Sequence, residues 1–159
     1  MFSASFRSIM NSEMKNHMKD SNCAYCQREE NPSLYEKFAY YVCDLRVSSL
    51  YVFREQSHPG RCIVAYKDHV SEIVDLTPEE RRLFLEDIAQ AAKAIHQIYK
   101  PDKLNYSFFG DTGKHLHCHL CPKYKDGFEW GGVFQMNPHL KDLKDEELKA
   151  IAAKIKAAL

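Results

Sequence analysis

The sequence predicts an α+β domain built on an antiparallel sheet of about five strands, with one long central helix and a C-terminal helix. Short runs of β-branched and aromatic residues recur between turn residues. One stretch, 78–99, carries strong helical spacing behind a complete helix-start signal. Two of the short runs are joined by so few residues that an antiparallel hairpin is the simplest connection. Strands clustered around one long helix are the pattern of an α+β layer.

Residues 1–22 are polar with scattered Met and read as an N-terminal arm, leaving 23–159 as the folded domain. Tyr40–Cys43 and Leu50–Phe53 read as the first two strands. His58-Pro59-Gly60 is a turn, and Arg61–Tyr66 the third strand. At Thr77-Pro78-Glu79-Glu80, Thr is the N-cap, Pro suits the first helical position and Glu80 completes a capping box. Leu83, Phe84, Ile88, Ala91, Ala92, Ile95 and Ile98 then recur on one face until Pro101. Leu104–Phe109 is the fourth strand, Gly110–Gly113 a turn and His115–Cys121 the fifth strand. From Lys144 onward, Leu148, Ile151, Ala152, Ile155 and Leu159 form an amphipathic helix.

Composition narrows the function classes. In 159 residues, Lys+Arg and Asp+Glu are 22 each, and 22 − 22 leaves no net charge. A nucleic-acid or anionic-membrane binder would show a basic excess. No apolar run approaches the ~20 residues of a membrane-spanning helix, and 1–22 lacks the continuous apolar stretch of a secretory signal. A cytoplasmic protein is expected. The alternative is organellar import, since the opening ten residues hold one Arg and no acid. The six cysteines are then expected as thiols or metal ligands rather than disulfides.

His115-Leu116-His117-Cys118-His119-Leu120-Cys121 alternates polar and apolar residues. In a strand, alternate side chains share a face, so the three histidines point one way and Leu116, Cys118 and Leu120 point into the core. Neighbouring histidines stand ~6.6 Å apart and the outer pair ~13 Å apart. Two can bracket one phosphate; the third is expected to have another task. Joint ligation of a single catalytic zinc by all three would be strained at that spacing. The preceding turn offers backbone N–H groups, and Thr112 a hydroxyl, for phosphate oxygens. Cys23-Ala24-Tyr25-Cys26 is a CxxC pair, which on its own fits a zinc half-site, a redox motif or two buried thiols.

The histidine run resembles the His-φ-His-φ-His-φ-φ signature of the histidine triad (HIT) family. The likeness extends through Pro59-Gly60-Arg61-Cys62, His69, Asp75-Leu76-Thr77, Asn105-Tyr106, Gly110–Lys114, Pro122-Lys123-Tyr124 and the Trp130-Gly131 segment, and is greatest for a microbial, nucleotide hydrolase-like branch. Asp111 stands where that branch usually has Asn, and Lys123 where it has Arg. The resemblance implies a HIT-like fold, a homodimer, and cleavage at the α-phosphate of a purine nucleotide derivative through a covalent nucleotidyl-histidine. It makes His117 the nucleophile and places His119 on the bridging or leaving phosphate, where a protonated imidazole would assist departure. It places Asn105 and the 110–113 turn, with Asp111 and Thr112, at the substrate. Some family members hold a structural zinc on an N-terminal CxxC, a His after the third strand and the first triad His. The matching residues are Cys23, Cys26, His69 and His115, a closed Cys₂His₂ set with no open position. No organic cofactor is expected.

Dinucleoside polyphosphates and nucleoside phosphoramidates are both implied substrates. His119 stands where a related transferase group has Gln, which favours hydrolysis over transfer. A rival of another class is a nucleotide-binding regulatory or scaffold protein using the same pocket with negligible turnover. The ribose-holding acid that many members carry after the second strand has no clear equivalent, because Arg54 and Glu55 follow Phe53.

Overall fold

The computed structural model describes residues 19–159. Most of the 1–22 arm therefore lies outside the described residues. Five strands form one sheet: β1 (Ala39–Asp44), β2 (Ser48–Phe53), β3 (Cys62–Tyr66), β4 (Lys103–Phe108) and β5 (His117–Lys123). Their spatial order is β1-β2-β3-β5-β4, and every neighbouring pair is antiparallel. The helices are α1 (Ser33–Glu36), α2 (Pro78–Tyr99) and α3 (Asp145–Ala157), with a short 3-10 turn at Ile73–Asp75. This is the α+β architecture the sequence predicts.

The fifth strand differs from the expected 115–121. It begins at His117 and runs on to Lys123. His115 and Leu116 belong instead to a crossing with the end of β3: Tyr66 N–H donates to the Leu116 carbonyl at 3.0 Å, and Leu116 N–H to the Val70 carbonyl at 2.7 Å. The first triad residue is thereby tied to the 66–70 segment, which includes His69.

The long helix starts as expected. Thr77 accepts from Glu80 N–H, Glu80 answers to Thr77 N–H, and Pro78 opens the helix. It ends at Lys100, left-handed at φ 47, just before Pro101. Its apolar stripe packs with α3 on one face of the sheet, against Leu50, Val52, Val64, Cys118 and Leu120. Burial of this face supplies the main driving force for folding. Inside it, Asp87 accepts from Val47 N–H at 3.0 Å and from the Ser48 hydroxyl at 2.7 Å, fastening the helix to the β1–β2 turn. At the His58–Gly60 turn, Gly60 has φ +89 and a Cβ there would meet the Tyr99 ring at 2.6 Å, so glycine is required twice over.

The opposite face of the sheet carries a smaller cluster of Tyr35, Ala39, Tyr51, Phe53, Ile63 and Ala65. The register places Ile63 opposite His119 and Ala65 opposite His117, so the second and third triad histidines rise from this smaller face. Among the described residues no helix is long and apolar enough to cross a membrane.

Candidate functional site

A cavity of about 990 Å³ opens over the histidine face. His115, His117 and His119 line it, with the Gly110–Lys114 loop on one side and Phe38, Phe53 and Ile63 among the apolar walls. The turn therefore brings Asp111 and Thr112 into the same cavity as the histidines. Asn105 lies on the same face of β4, opposite Cys121, one pair further from the loop than Ser107, which faces His119. It is not among the residues lining the cavity.

The rings of His117 and His119 have centroids 5.1 Å apart. His117 Nδ1 lies 2.6 Å from the His115 carbonyl oxygen. A carbonyl only accepts, so Nδ1 carries the proton and Nε2 keeps a free lone pair. Burial pushes the His117 pKa below its ordinary value, the carbonyl bond pulling the other way, and a neutral, nucleophilic ring results.

His119 departs from the expectation of a protonated imidazole. Burial first, and the Arg61 charge second, lower its pKa to about 2. Arg61 is fully buried, with Nη2 3.5 Å from His119 Nδ1. Its guanidinium is held between the rings of Phe53, at 4.0 Å, and Phe134, at 4.8 Å. Nη1 donates to the Met136 carbonyl at 2.6 Å and lies 3.8 Å from Glu55 Oε2. These contacts offset the desolvation cost of burying a cation, which is several kcal/mol.

The sequence reading missed Arg61 as a site residue, although strand alternation was a usable signal. Arg61 shares the parity of Ile63 and Ala65, which face the triad. The sequence places His58 only in a turn. His58 is buried, and its Nε2 lies 3.1 Å from Glu129 Oε2, which in turn accepts from Gln135 N–H at 2.9 Å. Lys123 donates to the carbonyls of Glu129 and Gly132. These bonds pin the loop that carries Phe134 and Met136 onto Arg61. Trp130, in the same loop, is 44% exposed. Glu55, the nearest acid after β2, is buried and accepts from Ser57 N–H at 3.0 Å. It is not among the residues lining the cavity, so it is not placed to hold a ribose there.

At the other end of the triad, Cys23, Cys26, His69 and His115 bring one donor atom each to within 4.8 Å of one another. Cys23 Sγ is 3.3 Å and Cys26 Sγ 3.6 Å from His115 Nδ1, and His69 Nδ1 is 3.4 Å from both Cys26 Sγ and His115 Nδ1. A tetrahedral zinc with N and S ligands has ligand–ligand edges of about 3.3–3.8 Å. The donor set fits that ion. The outer ring nitrogens fit as well. His115 Nε2 donates to the Tyr66 carbonyl at 2.7 Å, leaving Nδ1 bare, and His69 Nε2 lies 3.8 Å from Asp20 Oδ2. Burial pushes the Cys26 thiol up to about 11 and His115 down to about 4. A divalent cation at the centre would favour the thiolate instead. Tyr25, inside the CxxC, lays its ring 5.0 Å from His115 and 5.3 Å from His117, joining the two corners. All six cysteines are free thiols.

Comparison with known proteins agrees with this geometry. The HIT domain model matches residues 44–126. "Protein hit" of Bacillus subtilis (strain 168) is 28% identical over 101 residues, 60% of this chain and 68% of the relative. Among solved structures, a histidine triad protein from Sinorhizobium meliloti 1021 superposes with a TM-score of 0.73 at 18% identity, covering 80% of this chain and 94% of its own. A Hit-like protein involved in cell-cycle regulation from Bartonella henselae gives 0.65 at 21% identity, covering 89% and 100%. The structural likenesses speak for the fold.

Proposed function

Because the chain belongs to the HIT family, a nucleotide-binding and hydrolase-type family, we propose that it hydrolyses a purine nucleotide derivative at its α-phosphate through a nucleotidyl-His117 intermediate. The observation that carries this reading is the His117 ring. Its proton is committed to the His115 carbonyl, and its bare Nε2 belongs to a ring lining the cavity beside a glycine-bounded turn. The Nε2 lone pair forms a P–N bond as the bond from phosphorus to the leaving group breaks. Water then attacks phosphorus, the P–N pair returns to Nε2, one proton passes to solvent, and a nucleoside monophosphate is released. Backbone N–H groups of 110–113 and the Thr112 hydroxyl are assigned to the phosphate oxygens. Phe38, Phe53 and Ile63 offer apolar surface for a purine.

Zinc is assigned to Cys23, Cys26, His69 and His115 as a structural ion, since a closed four-ligand set leaves no open position for chemistry. A homodimer is also proposed. β4 is an edge strand, and Tyr106 and Phe108 on it and Leu85 on α2 are exposed large apolar residues, a surface that invites a second copy.

The test is a panel of diadenosine polyphosphates and adenosine phosphoramidate given to wild type and His117→Ala. Release of AMP by wild type alone supports the proposal. Tight nucleotide binding with no product from wild type would identify a regulatory nucleotide-binding protein instead.

A further inference from the structure

The hydrolase reading leaves a fully buried arginine without a task. Arg61 does not line the cavity, so it is not placed to hold a phosphate itself. It presents Nη2 to His119 Nδ1 at 3.5 Å. A guanidinium has only donors, so the ring nitrogen facing it must be the acceptor. With Nδ1 accepting, the His119 proton sits on Nε2, and that nitrogen makes no hydrogen bond among the described residues. The opposite tautomer would set an N–H against a cation's N–H. A doubly protonated ring would set charge against charge in a buried place. The other neighbours of His119 do not restore a positive ring. They are Phe53 at 5.6 Å, Phe109 at 5.8 Å and the neutral His117 at 5.1 Å, with Ile63 and Ser107 opposite in the ladder. The acids that act on this corner, Glu55 and Glu129, act on Arg61; Glu55 lies 3.8 Å from Nη1, with the guanidinium next to His119.

We propose that Arg61 is a positioning residue that holds His119 as a neutral imidazole with its proton on Nε2, and that the site therefore cleaves phosphoric anhydrides in preference to phosphoramidates. This rests on the hydrolase reading above. A neutral Nε2–H donates a hydrogen bond to a phosphate oxygen but cannot surrender its proton, because imidazolate would result. A phosphate leaving group departs as an anion and needs no proton: the P–O bond breaks with its electron pair on oxygen. An amine leaving group must be protonated as the P–N bond of the substrate breaks, and His119 does not supply that proton. General acid catalysis is worth 10²–10⁴-fold where it operates, so its absence costs the phosphoramidate about that factor and leaves the anhydride unaffected. Arg61 is itself locked by Met136, Phe53 and Phe134, so His119 has a rigid wall behind it.

The experiment has two arms on the full chain. In the first, long-range ¹H–¹⁵N spectra of the ¹⁵N-labelled protein report which ring nitrogen of His119 is protonated. Wild type should show the Nε2–H tautomer, and Arg61→Met should lose it. In the second, kcat/KM is measured for diadenosine tetraphosphate and for adenosine phosphoramidate. Wild type should favour the anhydride by at least about 100-fold. Arg61→Met should narrow that ratio at least about tenfold, mostly through kcat, because His119 is freed to take a second proton. Arg61→Lys keeps the cation and should keep both the tautomer and the ratio; it serves as the readout if the Met variant does not fold. A wild-type His119 protonated on Nδ1 or doubly protonated, equal cleavage of the two compounds, or a folded Arg61→Met with unchanged spectrum and ratio would each overturn the proposal. If neither compound is turned over, the hydrolase reading fails, while the spectra still judge the hold of Arg61 on His119.

Discussion

His115 and His117 are two residues apart, and each gives a ring proton to a backbone carbonyl, but they do so with opposite nitrogens. His115 donates from Nε2 to Tyr66 and keeps Nδ1 bare toward two thiols and His69. His117 donates from Nδ1 to His115 and keeps Nε2 bare. In the proposed function, one residue type thus serves as a metal ligand at one corner and as a nucleophile at the next. The difference lies in which carbonyl the backbone brings to which side of the ring, and so in the point where β5 leaves the ladder.

The comparison breaks most sharply under alanine substitution. His117→Ala should lower kcat by at least about 10⁴-fold while nucleotide binding and thermal stability stay near wild type. His115→Ala should act the other way, unfolding the protein earlier while the surviving folded fraction keeps its nucleophile. A calorimetric scan beside a turnover assay checks the pair, and loss of turnover with unchanged Tm in both variants would erase the distinction.

Metal removal comes next. Elemental analysis should find one zinc per chain, and chelation or Cys26→Ser should lower Tm by about 10 °C or more, since a structural zinc contributes folding free energy directly. A metal-free protein with wild-type Tm would refute the assignment.

A smaller effect is set by pH. His119 has a folded pKa of about 2 against an ordinary value of about 6.5. Below about 6.5 the unfolded chain takes up a proton that the folded ring refuses. The contribution of this group is therefore complete above pH 6.5 and is lost as pH falls from there toward 2, by at most about 1.4 kcal/mol per pH unit. Urea unfolding between pH 8 and 5 should show the decline, and His119→Gln should make it shallower by this ring's share, the lowered pKa values of His58, His115 and His117 supplying the rest. Stability that rises toward pH 5 would contradict the assignment of a neutral ring.

The least effect on the site itself is expected from Phe108→Glu on the edge strand. It should convert a species of about twice 18.5 kDa into one of about single mass in light scattering. A wild-type mass of one chain would remove the dimer from the account.

The two faces of the sheet were not equally legible. The helix-bearing face follows from periodicity, because Leu83, Phe84, Ile88, Ala91 and Ile95 repeat at helical spacing and Leu116, Cys118 and Leu120 at strand spacing. The triad and its turn were legible for the same reason: alternation is local. The roles within the triad were less so. The Arg61–His119 contact joins β3 to β5 and depends on register, which single-strand patterns do not give. His58 and Glu129 meet across 71 positions through a loop whose turn chemistry carries no period. The four side chains proposed for zinc come from the N-terminal CxxC, the loop after β3 and the approach to β5, so spacing alone left the CxxC open among three readings. Strand limits moved where hydrogen bonds to a loop replaced the ladder, as at His115 and Leu116.

The division of labour along the histidine run is tested most directly by trapping the intermediate. Wild type mixed rapidly with diadenosine tetraphosphate, quenched in alkali to protect the P–N bond, and mapped by peptide mass spectrometry should carry one adenylyl group on His117. An adenylyl group on His115, on His119 or on any other side chain, or turnover with no adduct on His117 at any quench time, would contradict the account.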